Sequence, residues 1–128
     1  MALSKQQVEE LLKGLEKKQA DDLKAKNLDG IASHYHPDAT LIHKGVKAYY
    51  GREEIKEAFK PFLAASNNDS DEIPTTPLYA ESSADGQYLI RRGTYKFGQN
   101  PKDFPFEQIY KKVDGHYLIY HDEFEFSA

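Results

Sequence analysis

Two runs of alternating apolar and polar side chains meet at an Asp-Gly pair in residues 106–124, FEQIYKKVDGHYLIYHDEF. A period of two is typical of a strand that buries one face, and Asp-Gly between two such runs is a strong signal for a tight hairpin. The pattern therefore predicts antiparallel strands over residues 104–113 and 116–126, joined by a turn at Asp114-Gly115.

The same signal occurs once more upstream. Apolar and polar side chains alternate in residues 77–83 and 87–98, and Asp85-Gly86 lies between these two runs. Residues 39–43 form a shorter apolar run. These segments predict a meander of four strands and one short earlier strand. The polar stretch at 66–76 is predicted to be an exposed connection, either a lid over a pocket or a plain loop.

Helical patterns precede the meander. A capping box formed by Ser4 and Gln7 starts a helix predicted over residues 5–25, whose apolar residues recur at helical spacing. Asn27 caps a second, shorter helix, which we expect to end near His36 because the next residue is a proline.

A third helical pattern covers residues 52–65. Pro61 lies inside it and predicts a kink or an early end, because proline removes one helix hydrogen bond. The preceding residues 45–51 are predicted to form a loop.

The chain has 128 residues, the size of one domain, so residues 1–128 are treated as a single domain. Helices first and strands later argue for an α+β fold. Long antiparallel strands curl strongly, and helices on the concave side of such a sheet make a cone with one open end. The predicted architecture is three N-terminal helices packed on a strongly curved antiparallel sheet, with a pocket between the two layers.

Composition excludes several classes of protein. The formal net charge of -4 gives no overall basic field for binding nucleic acid, and the absence of cysteine removes disulfides and thiolate chemistry. No apolar run is long enough to span a bilayer. The N-terminal residues lack the apolar core of a secretory signal, so we expect a cytoplasmic location, although an extracellular protein with its leader removed would look the same.

Cofactor and metal signals are weak. No P-loop or dinucleotide fingerprint occurs, so no cofactor is expected. His34 and His36 do not share a helix face at their spacing, and no metal site is predicted.

Four stretches of the chain resemble the SnoaL-like or nuclear transport factor 2-like superfamily: LDGIASHYHPDATLIHKG, YGREEIKEAF, YLIRRGTYKF and FEQIYKKVDGHYLIYHDEF. The superfamily pattern of a tyrosine, an acidic-Ala-Thr strand start, a glycine-led helix and a final strand after an Asp-Gly turn is matched in order. The matching residues are Tyr35, 38–40, Gly51 and Asp114-Gly115. The resemblance covers nearly the whole chain and implies the cone fold. The superfamily includes isomerases, cyclases, dehydratases and binding modules, so it does not fix the activity.

Comparison with ketosteroid isomerase-like members assigns counterparts to their site residues. The resemblance places the catalytic base at His43, the oxyanion-binding tyrosine at Gln19 and the protonated acid at or within one residue of Glu107. The side chains differ at two of these positions, which argues against steroid isomerisation by the same mechanism.

The last strand is interpreted by the same resemblance. It implies that Leu118, Tyr120, Asp122 and Phe124 face the pocket, and that the alternate set, which includes Tyr117 and Ile119, lies on the outer sheet face. That outer face is the expected surface of a homodimer. Asp122 matches the acid of a polyketide cyclase, and Arg91 matches an arginine that binds small acids in kinase association domains.

Asp122 and His43 are the candidate catalytic residues. A carboxylate among aromatic side chains is desolvated, which raises its pKa toward the range of a general base, whereas the alternative is a surface Asp or a partner of Arg91. Histidine is the residue type suited to proton transfer at physiological pH, so His43 could pair with Asp122 as a base, or it could be a rim residue bonded to a loop carbonyl. Tyr35 completes the predicted ligand-binding set, with Arg91, Tyr120, Glu107, Phe124 and Leu118.

Two functions remain open. The first is a cofactor-free enzyme of isomerase, cyclase or dehydratase type that moves a proton on a small hydrophobic substrate, with Asp122 or His43 as the base and Arg91 or Tyr120 at the oxyanion. The alternative is a non-catalytic module that binds a small hydrophobic or acidic molecule, or a protein partner, and dimerises.

Overall fold

The computed structural model describes residues 3–65, 75–96 and 101–126, in which three helices pack on one face of a six-stranded sheet. The α+β class is confirmed. No helix in these ranges is both long and apolar enough to cross a membrane. The helices are α1 (Lys5–Lys24), α2 (Leu28–Ser33) and α3 (Gly51–Ala65); the strands are β1 (Tyr35–His43), β2 (Lys47–Tyr50), β3 (Thr75–Ser82), β4 (Tyr88–Tyr95), β5 (Phe104–Val113) and β6 (His116–Phe124).

Two of the predicted segments extend beyond the described residues. The connection at 66–76 lies outside them up to residue 74, and its last two residues belong to β3. The end of the predicted strand 87–98 also lies outside them, at residues 97–98.

The order of helices and strands differs from the prediction. A hairpin of β1 and β2 comes before α3, so only α1 and α2 are N-terminal to the whole sheet. Strand β2 occupies the predicted loop at 45–51 and pairs antiparallel with β1, with Thr40 opposite Tyr50. Its four side chains are mostly exposed, so the strand carries no apolar alternation that the sequence could have revealed.

The sheet has the strand order β2-β1-β6-β5-β4-β3. All neighbouring pairs are antiparallel except β1 and β6, which are parallel. The expectation of a purely antiparallel sheet is therefore wrong. The parallel pair brings the first long strand beside the last, so residues from both ends of the domain meet in the middle of the sheet.

The predicted helix signals hold at the N-termini. Ser4 and Gln7 form both hydrogen bonds of the capping box, and Asn27 accepts from the backbone of Gly30. Helix α3 continues past Pro61 to Ala65, so the predicted early end is wrong. Leu63, in this last turn, is buried in the core, and its packing helps to hold the turn in place.

Both Asp-Gly turns form the predicted hairpins. Asp114 and Gly115 have φ of 50° and 84°, the pair of positive values that a type I′ turn requires. Gly86 has φ of 72° and donates its backbone N–H to Ser83 O at 3.0 Å.

A β-bulge in β6 changes which residues face the interior. Ile119 pairs with Tyr110, but His121 pairs with Ile109, so Tyr120 is an extra residue without an opposite partner. Because successive side chains alternate between faces, one extra residue exchanges the faces beyond it.

The bulge corrects the predicted inner face of the last strand. Tyr117 and Ile119 lie in the core before the bulge, not on the outer face, and Asp122 is buried after it. Leu118 and Tyr120, predicted to face the pocket, do not. Since Tyr117 and Ile119 are core residues, they cannot supply the predicted dimer surface.

Replacement of Ile119 by Ala tests the position of the bulge. Ile119 is 1% exposed in the core, so the substitution is expected to lower the free energy of unfolding by about 2–5 kcal/mol. Denaturant titration followed by tyrosine fluorescence measures this loss.

The matched control is Leu118→Ala, on the opposite face of the same strand, which should cost about 1 kcal/mol or less. A larger loss in Leu118→Ala than in Ile119→Ala would mean that the faces are assigned the wrong way round.

Candidate functional site

A wide cavity lies between the helices and the inner face of the sheet. Its walls come from α1, α3 and strands β1 to β6, and its volume is about 2010 Å³. This exceeds the ~300–1,000 Å³ of a typical small-molecule site, so the cavity has room for a ligand and solvent together. Most of its wall is apolar, with aromatic residues that include Phe59, Phe62, Tyr95, Phe106 and Phe124.

Asp122 is the buried acid of this cavity. Its side chain lies on β6 after the bulge and is 6% exposed. The Tyr35 hydroxyl donates to Oδ2 at 2.7 Å, and the Gln108 amide donates to the same oxygen at 3.2 Å. Within the described residues Oδ1 receives no hydrogen bond, so this oxygen is available to a ligand.

Burial and hydrogen bonding act in opposite directions on this carboxyl group. Desolvation is the larger effect and raises the pKa of Asp122 above its ordinary value, while the bonds from Tyr35 and Gln108 and the charge of Arg91 lower it. Burial and the adjacent carboxylate raise the pKa of Tyr35 well above its ordinary value, so this phenol stays protonated and remains a donor.

A chain of hydrogen bonds fixes the orientation of the Gln108 amide. The Tyr110 hydroxyl donates to Gln108 Oε1 at 3.2 Å, and Gln19 Nε2 on α1 donates to the Tyr110 oxygen at 3.1 Å. With its oxygen occupied, Gln108 must present its NH₂ group to Asp122. Gln108 and Tyr110 were missed in the sequence. Register counted from the turn at Asp114-Gly115 would have paired Asp122 with Glu107, and the bulge at Tyr120 shifts the partner of Asp122 to Gln108.

Arg91 supplies the buried positive charge. It is 7% exposed, its guanidinium lies 5.0 Å from the centroid of the Phe106 ring, and NH1 forms an ion pair with Glu16 Oε2 on α1 at 3.1 Å. Arg92 points to the other face, as the adjacent positions predict, and pairs with Glu107. Arg91 therefore lines the cavity but takes Glu16, not Asp122, as its ion-pair partner.

His43 lines the cavity and bonds a backbone carbonyl, as the alternative to a catalytic role predicted. Its Nε2 lies 3.1 Å from the carbonyl oxygen of Phe126, and its ring stacks on Phe124 with centroids 4.8 Å apart. Nε2 carries the proton if it donates to that carbonyl. No hydrogen bond joins His43 to Asp122 within the described residues, so the predicted acid–base pair is not formed.

Three predicted ligand-binding residues lie outside the cavity. Glu107 bonds Arg92 at 3.2 Å on the outer face, and the cavity-facing position belongs to its neighbour Gln108. Tyr120 is 37% exposed and packs against Lys111 and His36. Leu118 lies before the bulge, on the face opposite the core residues Tyr117 and Ile119, and so points away from the cavity. Asp122, His43, Arg91, Tyr35 and Phe124 do line the cavity.

Metal ligands are not gathered anywhere in residues 3–65, 75–96 and 101–126, where no group of three His, Cys, Asp or Glu residues has a suitable arrangement. His34 instead lies 2.6 Å from Asp22 through Nε2.

Solved structures with the same fold support this architecture. A nuclear transport factor 2-like protein of unknown function from Shewanella oneidensis is 20% identical, with 91% of this chain and 98% of that chain covered and a TM-score of 0.71. A proposed dehydratase of the same family from Streptomyces avermitilis is 10% identical, with coverage of 93% and 95% and a TM-score of 0.69. A proposed polyketide cyclase from Sinorhizobium meliloti is 17% identical, with coverage of 87% and 93% and a TM-score of 0.57.

At these identities the solved structures show a shared fold and do not assign an activity. No curated protein matches the chain in sequence. The profile of the SnoaL-like domain, in contrast, matches residues 17–118, which include α2, α3 and strands β1 to β5. This match covers most of the chain, and the chain therefore belongs to the SnoaL-like domain family.

Proposed function

We propose that this protein is a cofactor-free enzyme that moves a proton on a small hydrophobic carbonyl compound, with Asp122 as the general base. The observation that carries the proposal is the Asp122 carboxyl, buried in an apolar cavity and held by Tyr35 and Gln108 through one oxygen only. A fixed carboxyl with one free oxygen and a raised pKa has the properties of a general base.

The proposed reaction begins with proton abstraction next to the substrate carbonyl. Asp122 Oδ1 takes the proton, and the electron pair of the broken C–H bond moves onto the carbonyl oxygen. Asp122 then returns the proton to another carbon, which isomerises the substrate, or to a hydroxyl that leaves as water, which dehydrates it. Proton and electron counts balance without an outside reactant in either case.

Arg91 is the proposed stabiliser of the developing oxyanion. Its guanidinium is buried in the same cavity, where an ionic interaction is stronger than in water. Tyr120, the other predicted oxyanion donor, is excluded because its side chain lies outside the cavity. His43 is left as a wall residue, since its Nε2 is engaged with a backbone carbonyl.

The names of two proteins with the same fold are compatible with one of these outcomes. Two proteins with the same fold are named a proposed dehydratase and a proposed polyketide cyclase, and dehydration is one of the two outcomes proposed here. They support the proposal without identifying the substrate.

The second candidate is a non-catalytic module that binds a ligand and dimerises. It is favoured by the position of His43, whose Nε2 lies against the carbonyl oxygen of Phe126 and not against Asp122. We propose the outer sheet face for the homodimer on the basis of Ile90 and Ile109, which are half-buried and opposite each other on β4 and β5.

Substitution of Asp122 by Asn tests the proposed base. Asn keeps the shape and can still accept from Tyr35 and Gln108, but it cannot take a proton. We expect wild type to catalyse deuterium incorporation next to the carbonyl of β-tetralone and related aromatic ketones in D₂O. Proton NMR should show this rate fall by about 10²- to 10⁴-fold in Asp122→Asn.

Glu123→Gln is the matched control, because this neighbouring carboxylate lies at an outer-face position of β6. It should exchange at the wild-type rate. Ligand binding in wild type without any exchange across the ketone panel would favour the non-catalytic module instead.

A Tyr35→Phe variant tests how the base is tuned. The hydrogen bond from Tyr35 lowers the pKa of Asp122, so its removal should raise that pKa further. A general base works only when ionised; the rising limb of the pH–rate profile should therefore move to higher pH. The profile of deuterium exchange measures this shift.

Tyr49→Phe, another tyrosine of the cavity wall, is the control and should leave the limb in place. A limb that stays fixed in Tyr35→Phe, or that moves to lower pH, would contradict the assignment of this limb to Asp122.

A further inference from the structure

Glu16 reaches from α1 into the cavity and occupies the guanidinium of Arg91. The distance from Arg91 NH1 to Glu16 Oε2 is 3.1 Å, and the two side chains differ sharply in exposure, at 9% for Arg91 and 50% for Glu16. The carboxylate therefore comes from the solvent side of the cavity, while the guanidinium is fixed inside it. Glu16 thus takes one donor of Arg91 and neutralises its charge, so a carboxylate ligand meets a weaker attraction than an unpaired guanidinium would offer.

The charge balance inside the cavity also disfavours an anionic ligand. Arg91 is the buried cation, Glu16 neutralises it, and Asp122 adds a negative charge whenever it is ionised. An anionic ligand would therefore meet a neutral or negative interior. A neutral ligand would pay no such penalty, since it leaves the Glu16–Arg91 pair intact.

Other charges on the cavity wall do not change this balance. Those on α1 and β3 belong to exposed side chains, where solvent screens their effect on a ligand placed near Arg91. They are Lys5, Glu9, Glu10, Lys13, Lys17, Asp21 and Glu81.

We infer that Glu16 is a specificity-determining residue. By pairing with Arg91, it weakens the binding of ligand carboxylates and so makes the cavity selective for uncharged ligands. The inference rests on the proposed function insofar as the cavity binds a small hydrophobic molecule. It refines the expectation of a hydrophobic or acidic ligand to a neutral one, such as a ketone or an amide. Glu16 acts through Arg91 and needs no contact with the reacting atoms.

The test compares two probes of the same shape and different charge, β-naphthamide and β-naphthoate, by isothermal titration calorimetry. Wild type should bind the neutral amide more tightly than the carboxylate. Glu16→Gln releases Arg91, and a charge-assisted hydrogen bond to a ligand carboxylate should then tighten naphthoate binding about tenfold. Naphthamide affinity should change less than about twofold.

Two further variants show whether Arg91 mediates the effect. Glu9→Gln removes the same charge from another cavity-wall position of α1 and should not tighten naphthoate binding. Adding Arg91→Gln to Glu16→Gln should abolish the gain. Glu16→Gln changes an exposed end of an ion pair, so circular dichroism should show an intact fold.

Several results would overturn the inference. These are tighter binding of naphthoate than naphthamide in wild type, an unchanged ratio in Glu16→Gln, or an equal gain in Glu9→Gln. Failure of both probes to bind every variant would reject ligand binding by the cavity and this inference with it. Selective binding as expected, combined with no deuterium exchange in wild type, would reject the catalytic proposal alone and leave the inference standing.

Discussion

The burial of a single carboxyl group is the constraint on which the rest of the site depends. An Asp in an apolar interior loses its hydration, and only fixed donors can compensate for that loss. Tyr35 and Gln108 supply two donors, and Gln108 is in turn held by Tyr110 and Gln19. Four elements, α1, β1, β5 and β6, thus contribute to keeping one acid in place. A network of fixed donors holds the carboxyl group rigidly, and rigidity is what a base needs to meet a substrate proton.

The acid reaches the interior only because of the bulge at Tyr120. Without the extra residue, the alternation that buries Tyr117 and Ile119 would send Asp122 to the outer face. The bulge lets one strand contribute to the core in its first half and to the cavity in its second half. Bulges commonly re-aim side chains beside functional sites, and this one separates packing from chemistry along β6.

Local signals in the sequence predicted much of the fold. The two Asp-Gly hairpins and the capping box at Ser4 depend on a few adjacent residues, and all three are present. Asp122 and Arg91 were also recognised as cavity residues, with help from the family resemblance. Strand β2 was missed because its exposed side chains show no apolar–polar alternation. Leu118 was assigned to the wrong face of β6 because the apolar pattern of the sequence does not reveal the bulge.

Contacts between distant elements could not be predicted from the sequence. Nothing near Glu16 distinguishes it from the other acidic residues of α1, and its role depends on where the helix lies relative to β4. The amide chain through Gln108 likewise needs the register of three elements at once.

Helix α1 touches the site at two points on one face, since Glu16 and Gln19 are three residues apart. One holds the cation and the other orients the amide that faces the acid. Because a helix moves as a stiff rod, lifting α1 from the sheet would break both contacts together. A ligand bulky enough to displace α1 would therefore alter the charge at Arg91 and the hydrogen bonding of Asp122 in a single cooperative event, and ligand girth would be coupled to the reactivity of the acid.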